Sequence, residues 1–145
     1  MPALWTIGYE RLLPPALVAE LEAAGVERVI DVRFRPQSRR PGMSKTRLAE
    51  VLASRAIAYE HRKALGTPPD LRHDFHAGRL ERARAGYRAH VEATAPDALA
   101  ELAAELAHGP RTALLCLEAD PAGCHRRVIC ELLAERVPGL TVTDL

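Results

Sequence analysis

The sequence predicts an α/β domain: a mostly parallel, Rossmann-like sheet of about five strands inside a three-layer sandwich. Two observations lead there. Short apolar runs alternate with helix-period stretches along the chain, and several of those runs are apolar throughout rather than every second residue. A run without alternation is the pattern of a strand covered on both faces, as in a parallel sheet between two helical layers.

Residues 4–7 form the first strand, closing on Gly8. Pro14 and Pro15 open a helix whose apolar positions are Leu17, Val18 and Leu21, and Gly25 suits the position just past its end. Residues 26–32 are a second strand, with Asp31 and Arg33 at its exit. The loop 34–43 holds Pro36 and Pro41 and is therefore extended, after which Ser44 caps a helix carrying Leu48, Val51 and Leu52. Residues 56–59 are a weaker third strand. The stretch 60–78, with Gly66, Pro68 and Pro69, is the least regular part and is expected to be a lid or binding loop. Helices follow over 80–91 and 97–107. Residues 112–117 are the strongest strand, 124–136 the last helix, and 140–143 a final strand. With 145 residues, 48% of them hydrophobic and few aromatic, the chain 1–145 is expected to be one domain with an aliphatic core.

The net charge is only +1, but its distribution is uneven. Arg33, Arg35, Arg39, Arg40, Lys45 and Arg47 occupy one stretch without a carboxylate, so one face is expected to be basic. Such a face suits an anionic small molecule or nucleic acid, or is a solvated basic loop. Three cysteines, an odd number, and no signal segment point to a reducing, cytoplasmic setting. No apolar run approaches the roughly 20 residues that cross a bilayer, so no membrane partner is expected.

In a parallel sheet, ligands bind beyond the carboxyl ends of the strands. Parallel strands would bring Tyr9, the Asp31 and Arg33 pair, and the run from Cys116 to Arg127 to one edge. Cys124, placed at a helix start beside Arg126 and Arg127, is expected to have a depressed pKa and to serve as nucleophile; the alternative is a small buried hydrophobe. His125, Asp31 and Glu118 are candidates for proton transfer or orientation, Glu118 by pairing with His125 or Arg126. Arg33 and Arg126, with Tyr9, Ser38, Arg39 and Arg40, are the candidate anion-binding set, Arg33 as a bidentate clamp. The plainer alternative for Asp31 and Arg33 is a mutual salt bridge. Cys116 marks the end of a strand, and Cys130 is core filler.

Cys116, Cys124 and His125 are metal-ligand types, but no Cys-x2-Cys or His-x3-His pair occurs, and no metal is expected. No Walker or Gly-x-Gly-x-x-Gly sequence is present, so no nucleotide cofactor is expected either. Gly-x-Ser-x-Gly is also missing, which argues against a serine hydrolase.

The runs Thr6-Ile7-Gly8-Tyr9-Glu10, Val29-Ile30-Asp31-Val32-Arg33, the segment from Pro36 to Lys45, Leu65-Gly66-Thr67-Pro68 and Gly86-Tyr87-Arg88 occur in that order. With Cys116-Leu117-Glu118 and Cys124-His125-Arg126, they make the chain resemble the domain-of-unknown-function 488 family over nearly its whole length. The resemblance implies a fold extent and a site location. It marks Tyr9, Asp31, Arg33, Ser38, Tyr87, Glu118, Cys124, His125 and Arg126 as the family's recurring polar positions, and it names no activity. The expected function is a small enzyme acting on a phosphate-bearing substrate, a nucleotide or nucleic acid. The rival is a non-catalytic nucleic-acid-binding module in which the Cys-His-Arg turn is structural.

Overall fold

The computed structural model describes residues Met1–Leu145. Five strands, β1 (Ala3–Gly8), β2 (Arg28–Asp31), β3 (Ala58–His61), β4 (Thr112–Cys116) and β5 (Thr141–Asp144), form one sheet in the order β3-β2-β4-β1-β5. Every pairing is parallel. Six α-helices connect them: α1 (Pro14–Ala23), α2 (Lys45–Ala53), α3 (Pro69–His76), α4 (Leu80–Thr94), α5 (Pro96–His108) and α6 (Arg126–Arg136). β4 rather than β1 lies beside β2, so the order differs from the 3-2-1-4-5 order of dinucleotide-binding folds.

The sheet separates two apolar layers. On one face, Leu17, Leu21, Leu48 and Leu52 of α1 and α2 pack on Ile7, Val29, Ala113 and Leu115. On the other, the helices α3 to α6 pack on Leu4, Ile30, Leu114 and Cys116. The strand period of two decides which layer each residue enters: Ala113 and Leu115 face one way, Leu114 and Cys116 the other. β1 exits toward α1 and its neighbour β4 exits toward α6, on opposite faces. Such a reversal opens a crevice at the carboxyl edge.

The elements follow the sequence to within a few residues at their ends, β3 running over Ala58–His61 rather than 56–59, with three further local differences. The stretch 60–78 is more ordered than expected, with a 3₁₀ turn at Lys63–Leu65 and then α3. Pro69 in the first turn, Asp70 beside it and His73 and His76 in the last turn are the start and stop signals of a short helix. Ser44 precedes α2, but its hydroxyl makes no cap; it accepts from Ser38 N at 3.0 Å and donates to Ser38 O at 3.2 Å, closing the basic loop. The last helix begins at Arg126 rather than at Cys124. A 3₁₀ turn over Pro121–Gly123, with the Asp120 carboxylate accepting from Ala122 N at 2.9 Å, comes first and leaves Cys124 extended. No helix is long and apolar enough to cross a membrane.

Candidate active site

A cleft of about 100 Å³ opens at the carboxyl edge of the sheet. Residues following β1, β2, β3 and β4 line it, so positions far apart in sequence meet there. Of the residues singled out from the sequence, Tyr9, Arg33, Glu118, Cys124 and His125 line this cleft. Asp31, Ser38, Arg39, Arg40 and Arg126 are not on its wall.

The floor is a buried thiol–imidazole pair. Val32 O accepts from His125 Nε2 at 2.7 Å, so the second ring nitrogen, Nδ1, presents its lone pair. Nδ1 lies 3.5 Å from Cys124 Sγ, and the thiol donates to it. The Tyr87 ring meets the imidazole edge-on at 5.1 Å and fixes its plane, while Tyr87 Oη donates to Leu65 O at 2.5 Å. The activated thiolate expected of Cys124 is not what this environment stabilises. Burial, and after it the neighbouring Cys116, pushes the Cys124 thiol well above its usual range. Lying between the 3₁₀ turn and α6, it is outside the helix turn whose free N–H groups would have favoured negative charge. The resting pair is therefore neutral, and ionisation of the thiol requires proton transfer to His125 Nδ1.

His125 also departs from the near-neutral pKa expected of it. Burial pushes its imidazole from 6.5 down to about 4. The unfolded chain thus binds the proton more readily, and the neutral ring contributes stability that is fully present above pH 6.5 and is lost as pH falls through about 4. The expected contribution is on the order of 3 kcal/mol. In urea titrations across that window, His125→Gln should flatten the decline in stability; a variant whose slope matches the wild type would refute the assignment.

Arg126 is fully buried, and it organises the loop after β4 rather than offering itself to an anion. Its Nη1 donates to Cys116 Sγ at 2.8 Å and to Glu118 O at 2.5 Å, and its Nη2 donates to Ala119 O at 3.1 Å. The Glu118 contact is thus through the backbone, and its carboxylate instead lies 3.5 Å from His76 Nε2. Gly8 makes this packing possible: a Cβ there would sit 1.7 Å from Glu118 O and 2.8 Å from Arg126 Nη1.

Asp31 and Arg33 form the mutual salt bridge that is the alternative to a phosphate clamp. Asp31 is fully buried and accepts from Arg33 Nε at 2.9 Å, Arg33 Nη2 at 2.7 Å, Arg33 N at 3.1 Å and the Tyr59 hydroxyl. Arg33 Nη1 donates to Met43 O at 2.7 Å and Tyr9 Oη at 3.1 Å. With its fork already closed on Asp31, Arg33 is not a bidentate phosphate clamp, and Asp31 has no lone pair directed at the cleft. Asp31 is in register with Leu115, so it points toward the α1 and α2 layer, away from Cys116 and Cys124. Arg40 is also committed: Nη1 donates to the carbonyls of Tyr9 and Glu10, and Nη2 to Leu12 O at 3.0 Å. Ser38 Oγ accepts from Arg40 N at 3.1 Å, holding the same turn. Arg39 is exposed.

Besides Arg33, which is paired with Asp31, the cations lining the cleft are Arg35 and Arg72, both without an ion pair. Thr67 adds a buried hydroxyl on the wall whose oxygen has no partner within the chain. Arg35 belongs to the basic stretch and Thr67 to the Leu65-Gly66-Thr67-Pro68 run, though the sequence singles out neither as a site residue, and Arg72 lies in no motif. The helical signals around α3 would have placed Arg72 one turn past Pro68, beyond the exit of β3.

A family model described as "Domain of unknown function DUF488" matches residues 15–133. No curated protein and no solved structure matches the chain.

Proposed function

Since the chain belongs to the DUF488 family, whose description names no activity, we propose from the cleft itself that it is a small enzyme acting on a phosphate-bearing substrate, a nucleotide or nucleic-acid end. The observation that carries this reading is the pairing of free cations with a thiol–imidazole floor. Arg35 and Arg72 stand unpaired at the mouth of a cleft whose base is the Cys124 and His125 pair. In this reading the two guanidinium groups hold the phosphate, and the Thr67 hydroxyl donates to it. Cys124 is the nucleophile, His125 Nδ1 takes its proton, and the half-buried Glu118 carboxylate orients a group at the rim. Asp31, Arg33, Tyr9 and Arg126 position these elements without touching substrate.

The cleft admits a phosphoryl-sized group, so the rest of the substrate lies outside it, along the loop that exposes Arg39 and Lys45. Calorimetry with inorganic phosphate and a nucleoside monophosphate tests the reading. The Arg35→Ala, Arg72→Ala double variant should weaken binding by about a hundredfold, because each charge-assisted bond contributes roughly 1.5 kcal/mol. Equal binding by the double variant would sink the proposal. The rival accessory module is favoured by a different result: affinity for nucleic acid that falls steeply with salt and survives Cys124→Ser, but not Arg39→Ala with Lys45→Ala.

A further inference from the structure

Spacing in the sequence shows no metal signature, yet the fold assembles a ligand set. The sulfur atoms of Cys116 and Cys124 and a carboxylate oxygen of Glu118 lie within 4.8 Å of one another, and all three residues line the cleft. Cys116 ends β4 and Cys124 returns from the 3₁₀ turn, so one short excursion brings the two thiols face to face. We propose that Cys116, Cys124 and Glu118 bind a thiophilic divalent cation of the zinc type, and that its occupation takes Cys124 out of nucleophilic chemistry. The second half rests on the reading of the cleft above; the first half does not.

Three features beyond the ligand types support it. The first is charge. Arg126 is a fully buried cation whose hydrogen-bond partners are two carbonyls and one sulfur, none of them a carboxylate. A buried cation without a counter-charge is costly. Two thiolates and a carboxylate carry three negative charges, which a dication and the Arg126 guanidinium together neutralise. The second is the outer shell. Arg126 Nη1 already donates to the Cys116 sulfur, as groups behind a metal-bound thiolate commonly do, and His76 lies against the Glu118 carboxylate. The third is access: three protein ligands on a cleft wall leave a fourth tetrahedral position open to the cleft, and zinc tolerates that arrangement.

Coordination forms two metal–sulfur bonds and breaks two S–H bonds. Both protons leave to solvent, so affinity should rise with pH. The metal is neither oxidised nor reduced. A coordinated Cys124 sulfur no longer attacks an electrophile, so metal occupancy and thiol reactivity exclude each other.

The test uses the full chain, stripped with a chelator and titrated with Co²⁺ alone and then Zn²⁺ alone. Expected are one cation per chain, an intense near-ultraviolet thiolate-to-cobalt band, and its loss when Zn²⁺ displaces cobalt. Cys116→Ser and Cys124→Ser should each weaken Zn²⁺ binding by about a hundredfold or more and Glu118→Gln by at least about tenfold, since losing only a group behind a ligand already costs about 10–100-fold. Zn²⁺ should also slow iodoacetamide alkylation of Cys124. The wild-type cobalt spectrum does not depend on any variant folding: if it lacks the thiolate band, the proposal is overturned. Phosphate binding that persists through Arg35 and Arg72 without that band removes the metal and leaves the cleft reading standing. A thiolate band with phosphate binding indifferent to Arg35 and Arg72 does the reverse.

Discussion

Asp31→Ala is expected to lower the unfolding free energy by about 3–5 kcal/mol, the usual cost of removing one partner from a buried ion pair. Arg33 is only 7% exposed, and it would remain charged, because guanidinium keeps its proton under all ordinary conditions. In the intact pair, burial acts to lower its pKa, and the Asp31 carboxylate with the Tyr9 hydroxyl outweighs that and holds it above the ordinary arginine value. The Tyr59 hydroxyl would lose its acceptor as well. Urea denaturation followed by circular dichroism gives the number, and a loss below about 1 kcal/mol would show that water reaches the guanidinium and that the pair is not a structural hub. Asp31→Asn keeps the shape and one acceptor oxygen, so it should cost less than the alanine variant.

Gly8→Ala is the second large effect, and its origin is steric. The added methyl would lie 1.7 Å from a backbone oxygen, and no side-chain rotation relieves a collision between two main chains. β1 and the loop after β4 would have to separate. That breaks the ladder continuing past the strand, where Tyr9 N donates to Cys116 O at 3.2 Å and Glu10 N to Leu117 O at 2.8 Å. Overpacking of this kind costs about 3 kcal/mol or more. The expected signature is a lowered urea midpoint together with altered thiol reactivity, because Arg126 and Cys116 move with the loop. A variant as stable as the parent would mean that the loop yields freely and that Gly8 is not what sets the Arg126 geometry.

Periodicity makes the sheet legible. Runs apolar at every position have few alternatives in a chain of this size, and once strands are parallel their exits must share an edge. The shared edge brings Tyr9, Arg33, Glu118, Cys124 and His125 to one cleft. The direction of a side chain is not legible in the same way. Asp31 reads as a proton-transfer or orienting group in the cleft, yet alternation along β2 turns it to the opposite face, and one residue of uncertainty in register is enough to reverse the assignment. Arg33, Arg40 and Arg126 read as anion binders because arginine is one by default; each is instead consumed by carbonyls, a carboxylate or a sulfur that no spacing rule connects to it. The apolar stripe of α6 begins near Cys124 and suggests a helical cysteine, but the Pro121–Gly123 turn delays the helix and removes its dipole from the thiol. The Cys116, Glu118 and Cys124 cluster escapes the sequence for a related reason: its spacing matches no short metal motif, and a turn closes it instead.

The strand order also governs how this chain can come together in time. β1 pairs only with β4 and β5, so Leu4 finds its neighbours at Thr112 and Val142. During synthesis the first strand leaves the ribosome long before either partner exists, and β2 and β3 can pair with each other but not with it. The middle of the sheet therefore closes late, through contacts of high sequence separation that are slow to form, and only the edge strand β5 follows it along the chain. The cleft inherits that order: its thiols and the Gly8 shelf beneath them meet only when the late strand slides between two early ones.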